Sequence, residues 1–405
     1  MATAKPIVTT AFNYEPLEET LDIKSKSKQL AIGIPNESLS QENRIALIPE
    51  AVNVLVSNGH SVTVESKAGI GSRFSDKDYS EAGAKIVYNR EEVYSQPVII
   101  KSASISLNDT PYFQKDQTII SPLNFSLLKK EILEELVKKK ITALGFELLK
   151  DDSGTFPIVR SMSEIAGSAA MLFAGQYLAS SNKGKGVLLG GISGIPPTKV
   201  IIIGAGVVGE SATRSALAMG ASVKVFDNNV YRLKRLQNNL GFPVWTSVIE
   251  PNILAKQIKT CEVAVGALSS EKGRVPVVVT EAMVSRMRPG SIIIDVCIDR
   301  GGCFETSELT TQEKPTFRKY DVIHYCVPNI ASSFARTASH AISNVLMPLT
   351  LKIADNGGLD AMLWHNFNLR NGIYIYKGHI TNIYLSERYD LKYTDLNLLL
   401  ATSKR

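Results

Sequence analysis

The sequence predicts an α/β protein of two Rossmann-like domains, the second inserted into a discontinuous first, with two long helices joining them. Three observations carry this reading. Strand-like apolar runs alternate with helical patterns from Gln29 to Phe146 and again from Lys199 to Cys326. Two long helical patterns, one near Ser161 and one after Ser332, bracket the middle of the chain. The 405 residues suffice for two ordinary domains, each with its own core. The implied division is an extension over 1–28, a substrate domain made of 29–160 and 335–405, and an inserted domain over 161–334.

In the first part, Leu30-Ala31-Ile32-Gly33-Ile34 reads as a strand, Pro49 to Asn58 as a helix and Ser61 to Glu65 as a second strand, which is βαβ logic. Further strands are expected at Pro97 to Ile100, Thr118 to Ile120 and Thr142 to Phe146, with a helix over Leu127 to Lys140 before the last. That helix alternates lysine with glutamate, the pattern of a solvated face. Ser161-Met162-Ser163-Glu164 fits a capping box, from which Ile165, Ala169, Leu172, Phe173 and Tyr177 continue at helical spacing to about Ser180. The second long helix should run from Ser332 to the stop at Gly357-Gly358, with Pro348 as a kink. From Asn371 the tyrosine-rich tail suits a strand-rich edge or a subunit contact.

The inserted part carries the chemistry. Lys199 to Ile203 is a buried strand running into Gly204-Ala205-Gly206-Val207-Val208-Gly209 and an apolar-faced helix. In such a run Gly204 permits the tight turn, Gly206 lets the backbone approach a pyrophosphate, and Gly209 lets the helix pack on the strand, while the helix N-terminus offers amides to the phosphates. A second strand, Ser222 to Phe226, ends at Asp227, where an acid accepts ribose hydroxyls and would repel a 2′-phosphate. NAD is therefore the expected cofactor, with Arg232 beside the adenosine and Arg235 close by. Strands at Val263 to Val265, Ile292 to Val296 and Val322 to Cys326 complete one parallel sheet. Residues just past their ends, Leu268, Ile298, Asp299, Val327 and Asn329, should face the nicotinamide.

Composition excludes several classes. A net charge of +6 is small over this length and the charges are interleaved, so no nucleic-acid partner is expected. No segment is apolar enough to span a bilayer, and the acidic start (Glu15, Glu18, Glu19, Asp22) lacks the apolar core of a signal peptide, which points to the cytoplasm. Cys261, Cys297, Cys303 and Cys326 show no zinc-like spacing; no metal is expected, and they read as reduced thiols.

Taken together, Gly33-Ile34-Pro35, Glu42 to Pro49, Met162 to Gly167, the glycine run and Asp295-Val296-Cys297-Ile298-Asp299 with Gly301 to Glu305 resemble the alanine dehydrogenase and nicotinamide nucleotide transhydrogenase alpha-subunit family, over about residues 30–355. The likeness is nearer to alanine dehydrogenase, since the transhydrogenase branch would carry a longer insertion before the Ser163 helix. The resemblance implies reversible oxidative deamination of L-alanine to pyruvate and ammonia with hydride passing to NAD, and a homo-oligomer, often a hexamer. It implies Arg44 on the substrate carboxylate, a two-point match of guanidinium to carboxylate. It implies Asp299 beside the reacting carbon, and Ser163, Val207, Val208, Asp227, Arg232, Leu268 and Asn329 along the cofactor.

The same resemblance aligns the family's catalytic lysine with Ala103 and its catalytic histidine with Asn124. Imine hydrolysis needs a group that exchanges protons near neutral pH, which asparagine cannot do. Lys101, two residues before Ala103, is then the candidate to act with Asp299, and Asn124 is left to bind substrate. Three readings follow: an alanine-type dehydrogenase, a relative acting on another amino or imino acid as the similarly folded saccharopine dehydrogenases do, and an NAD(H)-binding protein without turnover.

Overall fold

A computed structural model describes residues 27–37, 42–125, 128–270 and 273–402. Most of the extension over 1–28 lies outside them, as does Leu127 of the expected lysine-rich helix, which runs here over Lys130–Lys138. Strands β1 (Ala31–Ile34), β2 (Ser61–Glu65), β3 (Lys85–Val87), β4 (Val98–Ile100), β5 (Thr118–Ser121) and β6 (Thr142–Gly145) form the parallel body of the first sheet. A second sheet takes β7 (Lys199–Ile203), β8 (Ser222–Phe226), β9 (Trp245–Ser247), β10 (Val263–Gly266), β11 (Ile292–Asp295), β12 (Thr316–Lys319) and β13 (Val322–Tyr325). The chain then returns to add β14 (Ile373–Tyr376) and β15 (His379–Ile380) to the first. The strand orders are β15-β14-β6-β5-β4-β1-β2-β3 and β12-β13-β11-β10-β7-β8-β9.

The second sheet is not wholly parallel as expected. Edge strand β12 runs antiparallel to β13, because Tyr320 and Asp321 between them both adopt positive φ (54° and 57°), the conformation of a tight hairpin turn. At the other sheet's edge, β14 pairs antiparallel with β6, so the tail does reach a sheet edge, but the strand-rich expectation is corrected: beyond β15 the tail forms the helices Ile383–Tyr389 and Leu396–Thr402; Tyr374 and Tyr376 are buried in β14.

Central strands such as β10 and β11 are buried at every position, which is why their sequences read as continuous apolar runs without alternation. Helices cover both faces of each sheet. The long helix Pro157–Leu178 starts with proline at its first turn, where a missing N–H costs nothing. It begins before the expected capping box, which does not form: Ser161 Oγ donates to the Pro157 carbonyl and Glu164 pairs with Arg160 at 3.0 Å. Ile158 of this helix packs in a core of the first sheet, and Ala166 to Leu178 pack in a core of the second. The division expected at residue 161 thus falls inside an unbroken helix. The second long helix, Ala335–Asp355, carries Pro348 within it and lends Ile342, Leu346 and Ile353 to the first core.

Both sheets place a switch in strand order where a crevice opens at the strand ends. In the first sheet β1 sits between β2 and β4, and in the second β7 sits between β8 and β10. The two sites described next lie at these positions.

Candidate active site

On the second sheet, the three glycines have distinct surroundings. Gly204 has φ +116°, and a Cβ there would lie 2.3 Å from the Ala267 carbonyl oxygen at the end of β10. A Cβ on Gly209 would fall 1.8 Å from the Gly204 oxygen, so this glycine lets the helix Val207–Ala218 close on β7. Gly206 instead faces open space, with nothing within 4 Å of where its Cβ would be, and it precedes a helix whose first amides no side chain caps. An open cradle in front of uncapped amides fits the pyrophosphate of a dinucleotide. Buried Asp227 braces this turn: its Oδ2 accepts the Ala205 amide and its Oδ1 the Asn229 amide, both at 2.7 Å. A carboxylate has further acceptor capacity for ribose hydroxyls. Arg235 reaches the glycine turn, donating to the Ala205 carbonyl at 3.3 Å, whereas Arg232 enters the next helix with its amide capped by Asn229.

Past β11, buried Asp295 shapes the loop that carries Asp299. Its Oδ2 accepts the Cys303 amide at 3.0 Å and the Ser307 hydroxyl at 2.8 Å, and its Oδ1 accepts the Cys297 thiol at 3.0 Å. Asp295, Cys297 and Cys303 also form a group whose ligand-type atoms lie within 4.8 Å of one another. Their hydrogen bonds make them a brace for the Gly301-Gly302 turn, and all four cysteines are buried free thiols. Asp299 emerges on the exposed side of this loop, its carboxyl pushed upward by the desolvating protein around it and pulled back by Arg300.

On the first sheet, the segment after β1 supplies Arg44. Its Nε and Nη2 donate to the two oxygens of Glu42 at 2.7 and 2.6 Å, a bidentate pair, and its Nη1 meets the Met162 sulfur at 3.4 Å. Glu42 in turn accepts from Asn329 Nδ2 at 3.2 Å and Ser332 Oγ at 3.4 Å. One carboxylate therefore ties the anionic-substrate candidate Arg44 to Asn329 at the cofactor-side strand ends. Serines of the second long helix hold the same segment: Ile45 donates to Ser339 Oγ at 2.9 Å and Ile48 to Ser343 Oγ at 3.2 Å.

Lys101 follows β4 but is sealed in. Its Nζ pairs with Glu37 at 2.8 Å and Asp109 at 3.5 Å, and Glu37 Oε1 also accepts the Ser102 and Ala103 amides at 2.6 and 3.0 Å. These carboxylates hold the ammonium protonated far above its ordinary range despite its burial.

Comparison with known proteins gives the family. Residues 33–166 match the family model "Alanine dehydrogenase/PNT, N-terminal domain" and residues 170–383 match "Alanine dehydrogenase/PNT, C-terminal domain". The chain belongs to the alanine dehydrogenase/PNT family. Among its relatives is "Alanine dehydrogenase 2" of Staphylococcus aureus (strain USA300), 36% identical over 90% of this chain and 98% of that protein. A solved L-alanine dehydrogenase superposes with a TM-score of 0.84 at 34% identity, covering 89% of this chain and 99% of that one. The transhydrogenase from Sinorhizobium meliloti shares the fold, with a TM-score of 0.74 at 22% identity over 86% of this chain and 98% of that one.

As a member of this family, the chain sets its sequence-derived candidates in two groups. Gly204, Gly206, Val207, Val208, Gly209 and Asp227 form the turn after β7, and Leu268, Ile298, Asp299, Val327 and Asn329 follow the ends of β10, β11 and β13. Ser163 sits one residue past Met162, on the helix that touches Arg44 at one turn and packs Gly167 on the Val208 backbone at the next. Asn124 lies exposed beyond β5. Lys101 must be corrected: it is neither a proton-exchanging lysine nor a surface strand-end residue, because it is a buried cation neutralised by Glu37 and Asp109. Sequence reasoning missed Glu42 and Glu37, whose partners are set by tertiary contacts.

Proposed function

We propose that this family dehydrogenase oxidatively deaminates L-alanine to pyruvate and ammonia with NAD as hydride acceptor. The observation that carries the reading is the state of Arg44. Glu42 occupies one edge of the guanidinium and fixes its plane, while the Nη1 edge meets only a thioether among the contacts described, a weak acceptor that a substrate carboxylate displaces. Gly206 and the uncapped helix support a bound dinucleotide, whose nicotinamide takes the hydride from the substrate's α-carbon. Asp299 follows the end of β11, where the nicotinamide is expected, and in this reading it accepts a proton or orients water. Exposed Leu188, Ile192 and Ile195 on the segment before β7 support the expectation of self-association.

The test is NADH formation from L-alanine and NADH consumption with pyruvate plus ammonium. Turnover that Asp299→Ala abolishes is the expected result. One observation favours a second reading, an NAD(H)-binding protein without turnover: Lys101 is locked in a buried ion pair, while the resemblance aligns Ala103 and Asn124 with the family's lysine and histidine. Tight NADH binding with no turnover on alanine or on a panel of other amino and keto acids would establish it.

A further inference from the structure

Three strand ends meet at the substrate side of the first sheet, and two of them carry no proton-exchanging group at the matching position: Ala103 after β4 and Asn124 after β5. The third, after β6, carries Glu147. Ser121 pairs with Gly145 in parallel register, so Leu123 and Glu147 leave the sheet side by side, and the Leu123 backbone favours the charged Glu147 carboxylate. Asn124 is the next residue along and is exposed. Among the described residues Glu147 Oε2 is buried and has no hydrogen-bond partner, so the charged form of this carboxyl is left without compensation. The carboxyl lies back over Gly145, where a Cβ would stand 3.6 Å from Oε2 and 2.9 Å from Leu123 Cβ.

We propose that Glu147 is the proton-exchanging group of the substrate site, acting through one water held over Asn124 in place of the absent lysine and histidine. This rests on the dehydrogenase reading. After hydride leaves the α-carbon of the amino acid, water adds to the resulting iminium carbon. Glu147 takes the proton that water releases as its C–O bond forms. It returns that proton to the carbinolamine nitrogen; as the C–N bond breaks and the C=O bond forms, the carboxylate takes the remaining hydroxyl proton and passes it to the departing ammonia, so an ammonium ion leaves and the keto acid remains. Burial pushes this carboxyl up to about 7, so both protonation states are populated where the step must run. Among the described residues the ionisable side chain that interacts with it is Tyr374 on β14, itself neutral at these pH values; no charged group of β5, β6 or the helix Pro157–Leu178 acts on it.

Glu147→Gln, Glu147→Asp and the parent protein are assayed for kcat against pH with alanine and with pyruvate plus ammonium, and for NADH affinity by fluorescence. Glu147→Gln is expected to lower kcat by about 10²-fold or more with NADH affinity unchanged. The parent should show an inflection in kcat near pH 7 that Glu147→Asp shifts and Glu147→Gln removes. If Glu147→Gln keeps parental kcat and the inflection, the proposal falls while the dehydrogenase reading stands. If the parent turns over no substrate at all, both fall together. Should Glu147→Gln not fold, the parent and Glu147→Asp profiles decide: an inflection that Glu147→Asp leaves unmoved overturns the proposal.

Discussion

Glu147 also bears on stability, through burial that its two backbone contacts do not offset. Its carboxyl rises from 4.5 to about 7 in the folded protein. The unfolded chain therefore ionises first, and folding retains a proton that the unfolded state has released. The contribution works against the fold as pH rises: it is absent below about pH 4.5, grows through the interval to pH 7, and then levels at about 3 kcal/mol, by the conversion of 1.36 kcal/mol per pH unit. Glutamine has the shape of the protonated acid and no such titration. Melting temperatures of Glu147→Gln and the parent are thus expected to agree at pH 4 and to separate at pH 8, with the variant the more stable. Equal curves at pH 8 would mean that the carboxyl is solvated in solution. The neighbouring case of Lys101 shows why residue identity alone misleads: a lysine at a strand end looks available in sequence, but Glu37 and Asp109, 64 and 8 residues away, immobilise it.

At the scale of an element, the turn after β7 separates folding from binding glycine by glycine. Gly209→Ala drives a methyl to 1.8 Å from the Gly204 carbonyl oxygen, so the helix Val207–Ala218 must shift off the strand. Gly206→Ala meets nothing within 4 Å and leaves the fold intact, yet it puts a methyl in the cradle. Gly206→Ala is expected to keep the parental melting temperature and to weaken NADH by about tenfold or more, equivalent to about 1.4 kcal/mol. Gly209→Ala is expected to lower the melting temperature itself, by several degrees for a loss of about 1–3 kcal/mol. Calorimetry and a fluorescence titration on both variants separate the two roles. This turn was fully legible in sequence because its requirements are local: a buried strand, spaced glycines and a helix within one short run. The start of the first long helix was not, since Ser161 and Glu164 offered a capping box while Pro157 had already begun the helix one turn earlier. Short edge strands such as β3, with three residues and one buried, gave too little pattern to read.

Across the whole molecule, what sequence could not show is how the two sheets meet. The alternating strands and the bracketing helices made two α/β units legible, and the tyrosine-rich tail could be read as an edge. The contact that links substrate side to cofactor side joins residues 287 apart, Glu42 and Asn329, and no local pattern announces it. Asn43 adds a second tie, its amide donating to Ser332 Oγ at 3.1 Å. Asn329 itself sits in the left-handed region at φ 55°, a conformation asparagine tolerates better than most residues, which turns the chain from β13 toward the second long helix. A cofactor that settles against Asn329 therefore bears directly on the loop that holds Arg44. Hydrogen exchange tests the linkage. NADH should slow exchange in the glycine turn at 204–209, its proposed seat, and also at residues 42–48, which it does not need to touch. In Asn329→Ala the first protection should persist and the second should shrink, because Glu42 loses its partner on the cofactor side while the Ser339 and Ser343 bonds remain. Protection of 42–48 that survives Asn329→Ala unchanged would show that the serines of the second long helix, rather than the Glu42 bridge, transmit the order.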